Sequence, residues 1–207
     1  MRTKKEHSMK KYLSSVFVAV FLFSHCLLGQ TVTGPETFFG FRPGSDTKIA
    51  GWRQIVDYFK MLDEASPKIK VREIGRSTND HPFILAVISS AANMNNLETL
   101  RSISKNIAMG RASKTSVAKG KTVVLITCSI HATEIGAAQM SPELAYDLIT
   151  NRDPRAERIL DEVVFLLIPS FNPDGLIMVK EWYDRYLNTP YEGSRMPWLY
   201  HPYVGHD

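Results

Sequence analysis

Two short stretches of this 207-residue chain carry residue types that can do chemistry. In Ser129-Ile130-His131-Ala132-Thr133-Glu134 an imidazole and a carboxylate stand three residues apart, directly after the apolar run 122–128. On a loop turning into a helix, that spacing lets a ring nitrogen and a carboxylate oxygen converge on one ion, about 2.0–2.2 Å from each, which suits zinc. The pair alone is weak, because six histidines make such a coincidence common. A loop histidine beside a glutamate at a helix start would read the same. The second stretch, Pro169-Ser170-Phe171-Asn172-Pro173-Asp174-Gly175, follows another apolar run, 163–168. Asn172, Pro173, Asp174 and Gly175 make a turn by their own backbone preferences, with no chemistry required. Position joins the two stretches. Each lies at the carboxyl end of a predicted strand, where ligands collect in open α/β sheets.

The elements that must position them follow from periodicity. Residues 31–46 are rich in Gly, Pro and Thr, with Phe38, Phe39 and Phe41 among them, and read as an irregular arm over 30–50 that packs aromatics onto a body. Trp52, Ile55, Val56, Phe59 and Leu62 fall at helical spacing, and Ser66-Pro67 ends that helix. Ile69, Val71 and Ile74 alternate with charged residues; the turn 75–80 and the run 83–88 complete a hairpin-like pair of strands. Leu97, Leu100, Ile103 and Ile107 predict a short helix, with a polar loop through Gly120. The run 122–128 predicts a strand buried on both faces. Helices are predicted from about 133 to 149, with Pro142 as a kink, from 154 to about 160, and from 176 to about 186. Alternating strands and helices predict an α/β fold: a mixed, mostly parallel sheet flanked by helices.

Charge excludes one class of function. The chain carries 25 Lys+Arg against 21 Asp+Glu, a net +4. Residues 1–29 hold Arg2, Lys4, Lys5, Lys10, Lys11 and a single acid, Glu6, so 20 basic and 20 acidic residues remain from Gln30 onward. No basic run interleaved with aromatics survives there, so nucleic acid is not expected as a partner. The basic start and the apolar run 16–23 form a secretory signal peptide over 1–29, cleaved near Gly29. Secretion or periplasmic export is expected, with no stable membrane anchor. Cleavage there removes Cys26 and leaves Cys128 as a buried structural thiol.

With both motifs in place, the chain resembles the zinc metallocarboxypeptidase family, the carboxypeptidase A-like peptidases. His131/Glu134 matches its His-x-x-Glu, and Pro169 with residues 172–175 matches its Pro-x-x-Asn-Pro-Asp-Gly turn. Ile74-Gly75-Arg76-Ser77 with the 83–89 strand looks like its opening hairpin, and Gly205-His206-Asp207 like the start of its Gly-x-Asp-x-Asn-Arg stretch. The resemblance covers about 51–207. It implies one Zn²⁺ with His131 and Glu134 as two of three protein ligands, and Asp207 orienting the histidine from behind. Residues 172–175 would be scaffold, and Arg185 or Arg195 would polarise the carbonyl of a peptide or protein substrate. The family's third ligand and general-base glutamate lie farther on than Asp207, so residues 51–207 are expected to be the N-terminal part of a catalytic domain, inactive alone. Neither His201 nor His206 takes the third ligand's place. Thr133 stands where several members carry a substrate-binding arginine. Two alternatives stay open: an inactive exported module gripping peptides or glycans, and an amidase or deacylase of the same superfamily.

Overall fold

The computed structural model describes residues 31–196. Along the chain run α1 (Pro35–Phe39), α2 (Trp52–Ala65), β1 (Ile69–Arg76), β2 (Pro82–Ile88), α3 (Ala91–Asn95), α4 (Leu97–Ala108), α5 (Lys114–Val117), β3 (Thr122–Thr127), α6 (Ile135–Thr150), α7 (Pro154–Glu162), β4 (Val163–Ile168) and α8 (Pro173–Tyr186). The polar stretch before Gly120 thus contains one short helix, α5, opened by the Ser113 hydroxyl accepting from Ser116 N–H.

The four strands form one mixed sheet in the order β1-β2-β4-β3. It is flanked by helices as expected, but only one ladder of the three, β3 with β4, is parallel. The hairpin β1–β2 is antiparallel, and β4 runs antiparallel to β2. A two-strand hairpin can close only in the antiparallel sense, whereas β3 and β4 are joined by the long crossover through α6 and α7. β4 is therefore central, and β3 lies at the edge of the sheet among the described residues.

That edge position corrects the expectation for 122–128. β3 is not buried on both faces: Val123 is 46% and Leu125 60% exposed. Val124 and Ile126, which point to the other face, are half-buried, and Ile126 packs against the main core. Strand composition reports apolarity, not how many neighbours a strand acquires.

The main core lies on one face of the sheet, where α2, α6 and α8 meet. Ile55, Tyr58, Phe59 and Leu62 of α2 are fully buried with Ile84, Ile88, Leu167 and Leu176. Burial of each such side chain stabilises by about 1.5–3 kcal/mol. The arm joins this core through rings: Phe38 and Phe39 sit 5.0 and 5.3 Å from Tyr58, and Phe41 stacks on Phe39. The Tyr58 hydroxyl donates to Thr33 O, and burial, followed by Tyr146 and Asp147, pushes its phenol well above the ordinary range. On the opposite face α4 places Leu100 against Val87 and Val164.

Helix α6 runs unbroken through Pro142. A proline removes the amide that would bond the carbonyl four residues back. Here that carbonyl, Ala138 O, accepts from the Ser141 hydroxyl at 3.0 Å, so the bond that the proline forfeits is replaced locally. One turn earlier, Gln139 ties the arm to the helix: its Oε1 accepts from Ala50 N–H at 2.7 Å and its Nε2 donates to Ala50 O at 3.1 Å, all buried. Gln139→Leu leaves both backbone groups unsatisfied. It is expected to destabilise the fold by about 2–4 kcal/mol, read as a lower urea midpoint at unchanged slope.

Candidate metal centre

Residues 128–134 leave β3 and turn back over the sheet's end. Cys128 N–H still donates to Ile168 O, extending the parallel ladder by one residue, and burial pushes the Cys128 thiol up. Ser129 then takes a left-handed backbone conformation, φ +51°, unusual for a residue with a side chain. Its hydroxyl bridges the first turn of α6, accepting from Ala138 N–H and donating to Glu134 O. The tight reversal delivers His131 and Glu134 to the carboxyl end of β3.

These two residues face each other. His131 Nδ1 lies 2.9 Å from Glu134 Oε1, and Glu134 Oε2 accepts from His131 N–H at 3.0 Å. Both side chains are about half exposed. The hydrogen bond from the ring, then that from the backbone amide, holds the Glu134 carboxyl below its ordinary range. Its contribution to stability is thus present above the unfolded carboxylate's titration and is lost as pH falls through the lower folded value. Glu134 stands at the N-cap position of α6 without a capping bond from its side chain, and the helix N-terminus favours the same negative charge.

The second loop holds the first. Phe171 N–H donates to Cys128 O at 2.6 Å and Asn172 N–H to Ser129 O at 3.0 Å. Residues 172–175 are not a free-standing turn: Asn172 caps α8, its Oδ1 accepting from Gly175 N–H at 2.9 Å, and Pro173 opens the helix. Asp174 is buried. Its Oδ1 accepts from the Ser77 hydroxyl at 2.6 Å and its Oδ2 from Asn79 N–H at 3.1 Å, which fastens the β1–β2 turn to the same place. Gly175 lies directly against the chain between the two metal-ligand candidates. A Cβ there would meet Ala132 Cβ at 2.7 Å and Ala132 Cα at 2.9 Å. Composition signals none of Ser77, Ser129 or the Gly175–Ala132 approach. Only the Gly-x-Ser turn and the glycine of Asn-Pro-Asp-Gly mark where to look.

The remaining expected site residues are spread more widely. Arg185 sits exposed in the last turn of α8, and Arg195 is exposed in the segment after it. Asp207, His201 and His206 lie outside the described residues, as does the signal peptide expected over 1–29. Among the described residues no group of three or more His, Cys, Asp or Glu side chains could hold a metal, so His131 and Glu134 stand as a pair of donors. Their chemistry fits a divalent ion: the nitrogen and oxygen lone pairs that share a proton here are the ones a cation would take. Ser170 Oγ, between the two loops' anchor points in sequence, is fully buried with no hydrogen-bond partner among the described residues.

Two substitutions test this construction. Gly175→Ala forces Ala132 to move and is expected to cost about 1–3 kcal/mol, with faster amide exchange at 131–134. Ser170→Ala removes an orphaned hydroxyl and is expected to raise the thermal midpoint, by up to about 1–3 kcal/mol of stability.

The zinc carboxypeptidase family model matches residues 55–196, which include both loops. No curated protein sequence matches the chain. Similar solved structures include thrombin activatable fibrinolysis inhibitor, at 16% identity and a TM-score of 0.48 over 73% of this chain and 32% of that one. A metallo-carboxypeptidase from Burkholderia cenocepacia is 20% identical, with a TM-score of 0.44, over 61% of this chain and 27% of that chain. Carboxypeptidase A from Helicoverpa armigera is 17% identical, with a TM-score of 0.44, over 70% and 28%. The chain spans about a third or less of the length of these structures. With the family match covering well over half of its residues, this chain belongs to the zinc carboxypeptidase family.

Proposed function

We propose that this chain is the N-terminal part of an exported metallocarboxypeptidase domain that hydrolyses peptide bonds near a chain end. The observation that carries the reading is the facing pair His131 and Glu134 at the carboxyl end of β3, held by the Asn172 loop in a chain of this family. His131 and Glu134 would hold one Zn²⁺, with Asp207 orienting the histidine. When bound, zinc supplies Lewis acidity, polarising a peptide carbonyl and activating water. Arg185 or Arg195 would hold the substrate carbonyl's oxygen by a charge-assisted hydrogen bond. Export rests on the basic start and the apolar run 16–23, and no helix among the described residues is long and apolar enough to cross a membrane. One observation favours a second reading: exposed Thr133, between the two candidate ligands, offers no cation to a terminal carboxylate, which suits an amidase or deacylase.

Zinc uptake by residues 30–207, followed by competition with a chromophoric chelator, tests the pair. Weak binding is expected, reduced at least about tenfold in His131→Ala and in Glu134→Gln, with no hydrolysis of blocked peptides. Equal uptake by wild type and both variants sinks the metal pair. Tight stoichiometric zinc with peptidase activity overturns the incomplete-site reading.

A further inference from the structure

Helix α6 starts differently from the other helices among the described residues. Elsewhere the carbonyl of the capping residue accepts from the amide four positions on, as Gly51 O does from Ile55 N–H at 3.0 Å and Asn172 O from Leu176 N–H at 3.1 Å. At α6 the corresponding groups, Glu134 O and Ala138 N–H, meet through a third. The Ser129 hydroxyl accepts from Ala138 N–H at 3.0 Å and donates to Glu134 O. A side chain from outside the helix is thus inserted in its first backbone bond.

The inserted hydroxyl is anchored from the sheet. Ser129 is buried, and its own carbonyl accepts from Asn172 N–H in the loop after β4. Its backbone holds φ +51°, a region that glycine enters without strain and a residue with a Cβ does not. Glycine would suit the reversal better, and the side chain that serine keeps there is the one standing in the helix bond. Glu134 registers the effect. Its backbone lies at φ −81° and ψ 44°, outside the helical region. Ser129 holds its carbonyl, its amide donates to His131 O at 3.0 Å, and its carboxylate faces the His131 ring and amide. A direct bond from Ala138 would draw Glu134 into α6 and re-aim its side chain along the helix surface.

We propose that Ser129 is a positioning residue: its hydroxyl holds Glu134 one step outside α6 and so aims the carboxylate at the place it shares with His131. The inference rests on the zinc-peptidase reading for the use to which the aimed pair is put.

The test uses the full-length protein and the substitutions Ser129→Gly, Ser129→Ala and Ser129→Thr. Ser129→Gly removes both the hydroxyl and the strain, and Ser129→Ala removes the hydroxyl alone. Ser129→Thr keeps the hydroxyl in a backbone region that a β-branched residue resists. Three quantities are read: zinc affinity by chelator competition, His131 amide exchange without zinc, and the scalar coupling across a hydrogen bond between Ala138 N and Glu134 C′. Zinc is expected to bind at least about tenfold more weakly to Ser129→Gly and Ser129→Ala, and about as tightly as wild type to Ser129→Thr. Without zinc, the His131 amide is expected to exchange at least about tenfold faster in the first two. The Ala138–Glu134 coupling is expected to appear in those two, as the direct helix bond closes. Thermal midpoints are expected in a different order, Ser129→Gly above Ser129→Ala and Ser129→Thr below wild type, which separates aim from stability. Zinc affinity and His131 exchange that follow the thermal midpoints overturn the positioning role, as does either of them unmoved in Ser129→Gly. No zinc uptake by wild type, with exchange and coupling still sorted by the hydroxyl, supports the positioning role and overturns the zinc reading.

Discussion

The parallel ladder between β3 and β4 does not stop where the strands do, and the rest of the site depends on that. Three further backbone bonds, Cys128 to Ile168, Phe171 to Cys128 and Asn172 to Ser129, carry the pairing out into the loops. Two connections that would otherwise wander over the sheet's end are thereby stapled to each other. Left-handed Ser129 bends one of them back, and the Asn172 cap starts α8 in the other. The histidine and glutamate owe their approach to this shared frame. Because His131 and Glu134 already face one another, little ordering entropy would remain to be lost if the pair took up an ion.

The frame reaches past the two loops. Asp174 draws the β1–β2 turn in through Ser77 and Asn79, and Gly175 closes the gap to Ala132. Three segments widely separated along the chain thus converge at one end of the sheet. The opposite end has its own polar knot, where Ser89 and Asn93 take up Leu160 O, and Asn93 also takes Asp161 O. Both ends of β2 and β4 are thereby pinned. The Asn93 knot serves the fold; the Asp174 knot serves the site.

Much of this was legible in the residues themselves. The spacing of Trp52, Ile55, Val56 and Phe59 gave α2, alternation gave the hairpin, and the two motifs fell at the ends of β3 and β4 where the topology puts them. Helix α8 begins three residues earlier than its apolar periodicity suggested, because Asn172 and Pro173 act as cap and first turn. Other features had no local signal. Gln139 finds Ala50, and Ser77 finds Asp174, across 89 and 97 residues, so only the folded chain can pair them. Alternating strands and helices suggested mostly parallel pairing, yet strand order is set by which edges meet, and β2 met β4 head to tail. The same blindness applies to β3, whose apolar run could equally have filled the middle of the sheet.

That exposed strand has a consequence for residues 31–196 taken by themselves. Beyond β3, among the described residues, nothing pairs with its outer row of amides and carbonyls, and Val123 and Leu125 stand out beside them. An apolar edge is a template on which other strands add. Thr122 and Thr127 bracket this one, without a charge or proline inside it to interrupt the register. Left uncovered, it favours self-association through backbone hydrogen bonding. Colloidal stability would then be governed at the sheet's margin, by the six residues of β3.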